Sequence, residues 1–162
     1  MEFNFKNLCS NYPIEHREKL FILTLKGDFI DLYKKKNYEN TCAIRMSVAF
    51  NRIGGSYEIP RHYGIQDGGH TNSAGNHIIV RIKTIFEYYK EMFDQPFWNM
   101  KKQPGSQFNF STLPSVTGIL LYHSNFSDVS GHTDLWTGTN CFYACPILDV
   151  RTAFDIVFWK VD

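Results

Sequence analysis

The stretch Tyr38-Glu39-Asn40-Thr41-Cys42-Ala43-Ile44-Arg45-Met46-Ser47-Val48-Ala49-Phe50-Asn51 constrains the fold more than any other. Cys42, Met46, Ala49, Phe50 and Ile53 recur at the spacing of one helical face, Ile44 and Val48 widen that face, and Asn40 is the predicted N-cap. The pattern predicts a buried helix with a thiol in its first turn. Unpaired N–H groups and the helix dipole favour a thiolate there, so a lowered cysteine pKa is expected. Free cysteine is also among the most buried residue types, which makes simple packing the competing reading. The stretch Ser130-Gly131-His132-Thr133-Asp134-Leu135-Trp136 weighs against packing alone, because it sets a histidine at the start of a predicted strand. A helix-opening cysteine with a later strand histidine is the pairing that nucleophilic thiol catalysis needs.

A chain of 162 residues suits one domain, residues 1–162, with one active site. Seventeen basic and sixteen acidic side chains leave a net charge of +1, which gives no global attraction for nucleic acid or an anionic membrane. Lys34-Lys35-Lys36 reads as solvated surface. No apolar run approaches membrane-spanning length, and the start Met1-Glu2-Phe3-Asn4-Phe5-Lys6 lacks a secretory pattern, so neither membrane insertion nor the usual export route is expected. Cys9, Cys42, Cys141 and Cys145 form no C-x2-C zinc pattern. Cys141 and Cys145 are close enough to bridge if their loop folds back, and such a bridge would persist outside a reducing cytosol. His62, His70 and His77 are spaced unlike metal ligands and read as surface or hydrogen-bonded histidines.

In chain order, a helix is expected from Phe3 to Asn11, ending before Pro13. Leu20, Phe21, Leu23 and Leu25 fit either a strand or a helix, and Asp28 can cap a short turn into Phe29–Tyr33. The cysteine helix stops at Gly54-Gly55, and Ser56 to His77 reads as a long irregular loop. Ile78 to Ile82 is an extended lead-in to a helix that Thr84 caps and that runs through Met92. An aromatic linker with Phe97, Trp98, Phe108 and Phe110 follows. Strands are expected at Gly118–Tyr122, Gly131–Trp136 and Phe154–Trp159, with His132, Asp134 and Trp136 on one face. Helices first and strands later imply an α+β domain packing a helical half on an antiparallel sheet.

The cysteine stretch Asn40 to Ser47, the strand to Tyr122, Gly131-His132-Thr133-Asp134-Leu135-Trp136-Thr137-Gly138 and the following Cys141-x3-Cys145 together resemble the type VI secretion amidase effectors, fourth family. The resemblance runs from residue 38 through the last strand. It implies a papain-like cysteine peptidase fold of the bacterial cell-wall endopeptidase type. It also implies a toxin delivered into the periplasm of rival bacteria, where it cuts the γ-D-glutamyl–meso-diaminopimelate bond of peptidoglycan stem peptides. Implied partners are those stem peptides, a cognate immunity protein and the type VI secretion machinery, with no metal or organic cofactor. The catalytic pair carries over to Cys42 and His132, and a Cys141–Cys145 bridge would form on arrival in an oxidising space. The family's acidic residue between the late cysteines is replaced here by Tyr143, which is neutral at pH 7.

On this reading Cys42 attacks the scissile carbonyl, His132 moves the proton, and the Cys42 backbone N–H points at the developing oxyanion. The group orienting His132 is open among Asp134, Asp149, Asn140, Tyr143 and a main-chain carbonyl. Two rival functions stand beside it: a catalytically silent cell-wall-binding domain on the same scaffold, and a related thiol amidase or acyltransferase with another substrate.

Overall fold

The computed structural model describes residues 3–36, 38, 40–103, 106, 110–124, 131–144 and 153–162. The expectations for Phe108, Cys145 and Asp149, and for the side chain of Phe110, lie outside the described residues.

Asn4 caps the first helix, α1 (Phe5–Asn11), by accepting the Asn7 N–H at 2.8 Å. The ambiguous stretch that follows is helical: α2 (Arg17–Lys19) runs into a π-helical turn over Leu20–Leu25, and α3 spans Asp28–Lys34. The wider π winding departs from the 3.6-residue period, which is why the apolar spacing there did not separate helix from strand. Leu20, Phe21, Leu25 and Phe29 join Ile44, Val48, Ile78 and Val80 in one apolar cluster.

The predicted cysteine helix is α4 (Cys42–Ile53). Cys42, Ala43, Met46, Ala49, Phe50 and Ile53 enter the main core while Ile44 and Val48 enter the cluster just described, so α4 is enclosed on both sides. Each fully buried large side chain here contributes roughly 1.5–3 kcal/mol. The helix ends at Gly54, whose φ of +77° lets the chain reverse. The expected irregular loop beyond it holds a 3-10 turn, Gly55–Tyr57, and a short helix, α5 (Arg61–Gln66). Next comes α6 (Ile82–Phe93), which begins two residues before Thr84. Asp67 serves that end in place of Thr84: its carboxylate accepts Val80 N–H at 2.6 Å, Arg81 N–H at 2.8 Å and the Thr84 hydroxyl at 2.5 Å.

All three expected strands form, joined by one the sequence reading left in a linker. The sheet is antiparallel in the order β1-β4-β2-β3, with β1 at Trp98–Lys101, β2 at Gly118–Ser124, β3 at Gly131–Trp136 and β4 at Ala153–Lys160. Ile119, Leu121, Leu135, Val157 and Trp159 face the helices, and Leu120, Tyr122, Trp136, Ile156 and Phe158 line the other side. An apolar layer on each face explains the unbroken apolar run of β2. Gly131 has a φ of +151°, and a Cβ there would lie 2.2 Å from the Tyr122 carbonyl oxygen. Only glycine lets β3 start this close to β2. Among the described residues no helix is long and apolar enough to cross a membrane.

Candidate active site

The N-terminus of α4 meets the edge strand β3, and the meeting is held by one amide. Asn40 Oδ1 accepts the Cys42 N–H at 3.1 Å, and Asn40 Nδ2 donates to the Gly131 carbonyl at 3.2 Å. Asn40 therefore does not sit at the N-cap, which is Thr41, but ties the first residue of the helix to the first residue of the strand. That bond also engages the Cys42 N–H expected to face the oxyanion. Across the same junction the Thr133 N–H faces the Cys42 sulfur, which sets the thiol beside the residue after His132.

The thiol is buried, with 4% of its surface exposed, and burial pushes its pKa up to about 12. N–H groups of Thr133, Ala43 and Cys42 itself pull the other way, and the Asp134 charge adds to the rise. Desolvation thus outweighs the helix N-terminus, and the lowered pKa expected from the sequence is not found. Burial likewise pushes His132 down to about 4, opposed by the Ala144 carbonyl. At neutral pH the pair rests as thiol and neutral imidazole. The His132 ring packs on Tyr122 with centroids 5.5 Å apart, and among the described residues neither ring nitrogen completes a hydrogen bond. The structure brings Cys42 and the His132 strand together without closing a bond between sulfur and ring.

The alternatives for orienting His132 separate clearly. Asn140 is exposed and bound within its own turn, giving its N–H to Thr137 Oγ1 at 3.1 Å and its amide to Thr139 Oγ1 at 3.3 Å. The Tyr143 ring lies under the Arg45 guanidinium, 4.3 Å from ring centroid to Cζ, and 6.1 Å from the Tyr12 ring. Asp134 is fully buried on the His132 face, but its carboxylate accepts backbone N–H groups from Leu135 (2.7 Å), Tyr143 (3.1 Å) and Ala144 (2.8 Å). Burial pushes Asp134 up to about 6, against those N–H groups and a bond from the Tyr12 hydroxyl.

Sequence reasoning missed Arg45. It is a buried cation inside an apolar helix, satisfied by Thr41 Oγ1 at 2.9 Å and the carbonyls of Pro13 at 2.6 Å and Glu15 at 2.8 Å. The signal was available: a charge on an otherwise apolar helical face needs partners. Of the three histidines before α6, His62 lies 4.0 Å from Glu91, His70 meets the Tyr38 hydroxyl at 3.1 Å, and His77 packs against Gly64. Among the described residues no three His, Cys, Asp or Glu side chains converge as metal ligands.

This chain is similar to proteins of one kind. The model of a family described as type VI secretion system (T6SS), amidase effector protein 4, or Tae4, matches residues 38–159. The crystal structure of the type VI effector–immunity complex Tae4–Tai4 from Enterobacter cloacae superposes with a TM-score of 0.83 at 19% identity, covering 100% of both chains. The Tae4/Tai4 effector–immunity structure from Salmonella typhimurium gives 0.81 at 17% over 100% of both chains. The Enterobacter cloacae effector alone gives 0.82 at 20%, covering 100% of this chain and 98% of that one. No curated protein matches in sequence. At these identities the structures establish the fold, which is the expected arrangement of helices on an antiparallel sheet.

Proposed function

We propose a function from one premise: this chain belongs to the type VI secretion system amidase effector protein 4 family. It is an amidase effector, and its work is to hydrolyse the γ-D-glutamyl–meso-diaminopimelate bond of peptidoglycan stem peptides in the periplasm of a rival cell. The observation that carries the site assignment is the Thr133 N–H facing the Cys42 sulfur, next to His132. Cys42 is the nucleophile and His132 the proton carrier.

Because both groups rest neutral, the thiol proton moves to His132 as sulfur attacks the scissile carbonyl. The Ala43 N–H, which faces the sulfur, is the candidate donor to the oxyanion. His132 then hands its proton to the departing diaminopimelate amine, leaving a thioester on Cys42. Water, deprotonated by His132, attacks the thioester and regenerates the thiol. An immunity protein akin to Tai4 is the expected protein partner, and the secretion machinery the expected route. A Cys141–Cys145 bridge would fasten the turn that follows β3, and thiol counting without reductant that finds four free cysteines would remove it.

The test is to incubate purified diaminopimelate-type peptidoglycan with the protein and identify released fragments by mass spectrometry. Cleavage at the named bond is expected, with Cys42→Ala and His132→Ala each lowering the rate by roughly 10³-fold or more. Undiminished fragment release by Cys42→Ala ends the thiol mechanism. Intact stem peptides after wild-type treatment would favour a silent wall-binding domain.

A further inference from the structure

Asn40 stands one residue outside the cap of α4, half-buried, and its amide faces two ways. The acceptor end takes the N–H of Cys42 itself at 3.1 Å, and the donor end reaches the carbonyl of Gly131, the residue before His132, at 3.2 Å. One planar group therefore spans the seam between the element that carries the thiol and the element that carries the imidazole.

We infer that Asn40 is a positioning residue for the catalytic pair: its amide sets the height of Cys42 along β3, and so the reach from sulfur to the His132 ring. The inference rests on reading Cys42 and His132 as that pair.

Three observations carry it. The first is the chemistry of the link. An asparagine side chain holds an acceptor oxygen and a donor nitrogen in one rigid plane, so it can take a hydrogen from one backbone and give one to another. A carboxylate has no hydrogen to give the Gly131 carbonyl. The second is that both anchors are themselves fixed. Gly131 lies so close to β2 that an added Cβ would stand 2.2 Å from the Tyr122 carbonyl oxygen, and the Thr41 carbonyl starts α4 by accepting the Arg45 N–H at 2.9 Å. A bridge between two fixed points sets their separation. Third, the approach to Asn40 is strained. Tyr38, two residues earlier, has a φ of +56°, a left-handed backbone that bulky residues rarely adopt. It is pinned from two segments: Arg17 Nε–H donates to its carbonyl at 3.2 Å, and its hydroxyl meets His70 Nε2 at 3.1 Å. Strain of this kind persists where its surroundings over-determine it, and it gathers at functional sites.

Cohesion across the same seam has another source, since Cys42, Ala43, Met46 and Leu135 share the main apolar core. Two hydrogen bonds from a half-buried amide add little to that. What they supply is geometry, and a misplacement of about 1 Å between reacting groups costs on the order of 10²-fold in rate.

The experiment uses the full chain carrying Asn40→Ala, which removes both bonds. Initial rates on purified peptidoglycan are read beside urea unfolding. The kcat is expected to fall by about 10²-fold, with KM within about twofold and the unfolding midpoint close to that of the wild type. Asn40→Asp keeps the shape and the acceptor for Cys42 N–H but loses the donor to Gly131; a fall in kcat of about tenfold is expected of it, and it serves if the alanine variant does not fold. A second readout needs no turnover. The Thr133 N–H faces the Cys42 sulfur, so a nuclear Overhauser cross-peak from that amide proton to the Cys42 β-protons is expected in the ¹⁵N-labelled wild type, and a weaker one in both variants. An amide that serves stability alone would shift the unfolding midpoint and leave kcat and cross-peak as they were. Either of those unchanged in a folded variant overturns the inference. A wild type that cuts nothing removes the amidase reading alone, and the cross-peak then judges whether Asn40 sets Cys42 against β3.

Discussion

Asp67 and Asp134 are each fully buried, and each carboxylate is filled by donors from a neighbouring segment. Asp67 takes two backbone N–H groups and a hydroxyl at the start of α6, while Asp134 takes three backbone N–H groups, two of them from the turn at residues 143 and 144. The acceptor chemistry is the same. What differs is the captured backbone: Asp67 fastens the start of a helix whose apolar face fills the core, and Asp134 fastens the turn after β3 to the strand that carries His132. A buried carboxylate is therefore read by what it holds still, and not by its burial.

The largest separation between the two should come from alanine substitution. Asp67→Ala is expected to lower stability by about 2–3 kcal/mol, since it orphans buried N–H groups, while leaving kcat per folded molecule unchanged. Asp134→Ala should instead lower kcat by about 10²-fold. Urea unfolding alongside rate measurement separates them, and a loss of kcat in the Asp67 variant would break the comparison.

Gly131→Ala disturbs the histidine end of β3 without touching either carboxylate. The new Cβ would press on the Tyr122 carbonyl 2.2 Å away and push on the Asn40 bond. A loss of about 1–3 kcal/mol and a tenfold fall in kcat are expected, read from the same two measurements.

The dependence on pH comes next in size. Asp134 is raised from 3.8 to about 6, so its ionisation is opposed by folding and its contribution falls as pH rises from about 4 to 6. His132 is lowered from 6.5 to about 4, so the unfolded chain takes up its proton first and stability falls as pH drops through the same window. The two offset one another in the wild type. Relative to it, Asp134→Asn should gain stability as pH rises from 4 to 6, and His132→Gln should lose it, each on the order of 2 kcal/mol. Unfolding curves at pH 4.5 and 6.5 that move in parallel for all three proteins would contradict this.

The smallest effect is on thiol reactivity. With Cys42 near 12 and Cys9 near 11, iodoacetamide at pH 7 should label Cys42 no faster than Cys9 in the free protein. Asp134→Asn removes a charge that raises the Cys42 pKa, and should speed its labelling severalfold. Peptide mapping by mass gives both rates. Rapid labelling of Cys42 in the wild type would mean that the thiolate is already formed at rest.

Much of the site could be read from residue order. The helical period placed Cys42 at the head of a buried helix, and the two-residue period put His132, Asp134 and Trp136 on one strand face. Glycine and proline marked most of the ends. Strand β1 was missed because four residues, Trp98–Lys101, carry too little periodicity and form only by pairing with β4. The Leu20–Leu25 turn was ambiguous because π winding shifts the apolar spacing off the 3.6-residue period, leaving helix and strand equally fitted.

What the sequence determined by itself was local: which stretches wind or extend, which side of each is apolar, and therefore where a thiol and an imidazole stand on their own elements. Tertiary structure alone decided the rest. Asn40 meets Gly131 across 91 positions of chain, and Arg45 reaches the Pro13 and Glu15 carbonyls across 32 and 30. The low thiol pKa expected from the helix N-terminus gave way because desolvation depends on everything packed around the sulfur, which no window of sequence contains. Asp134 shares a face with His132 by period, yet its carboxylate went to a returning turn. A buried polar group is claimed by whichever backbone N–H or carbonyl arrives within about 3 Å, and that is settled only when distant segments close on one another.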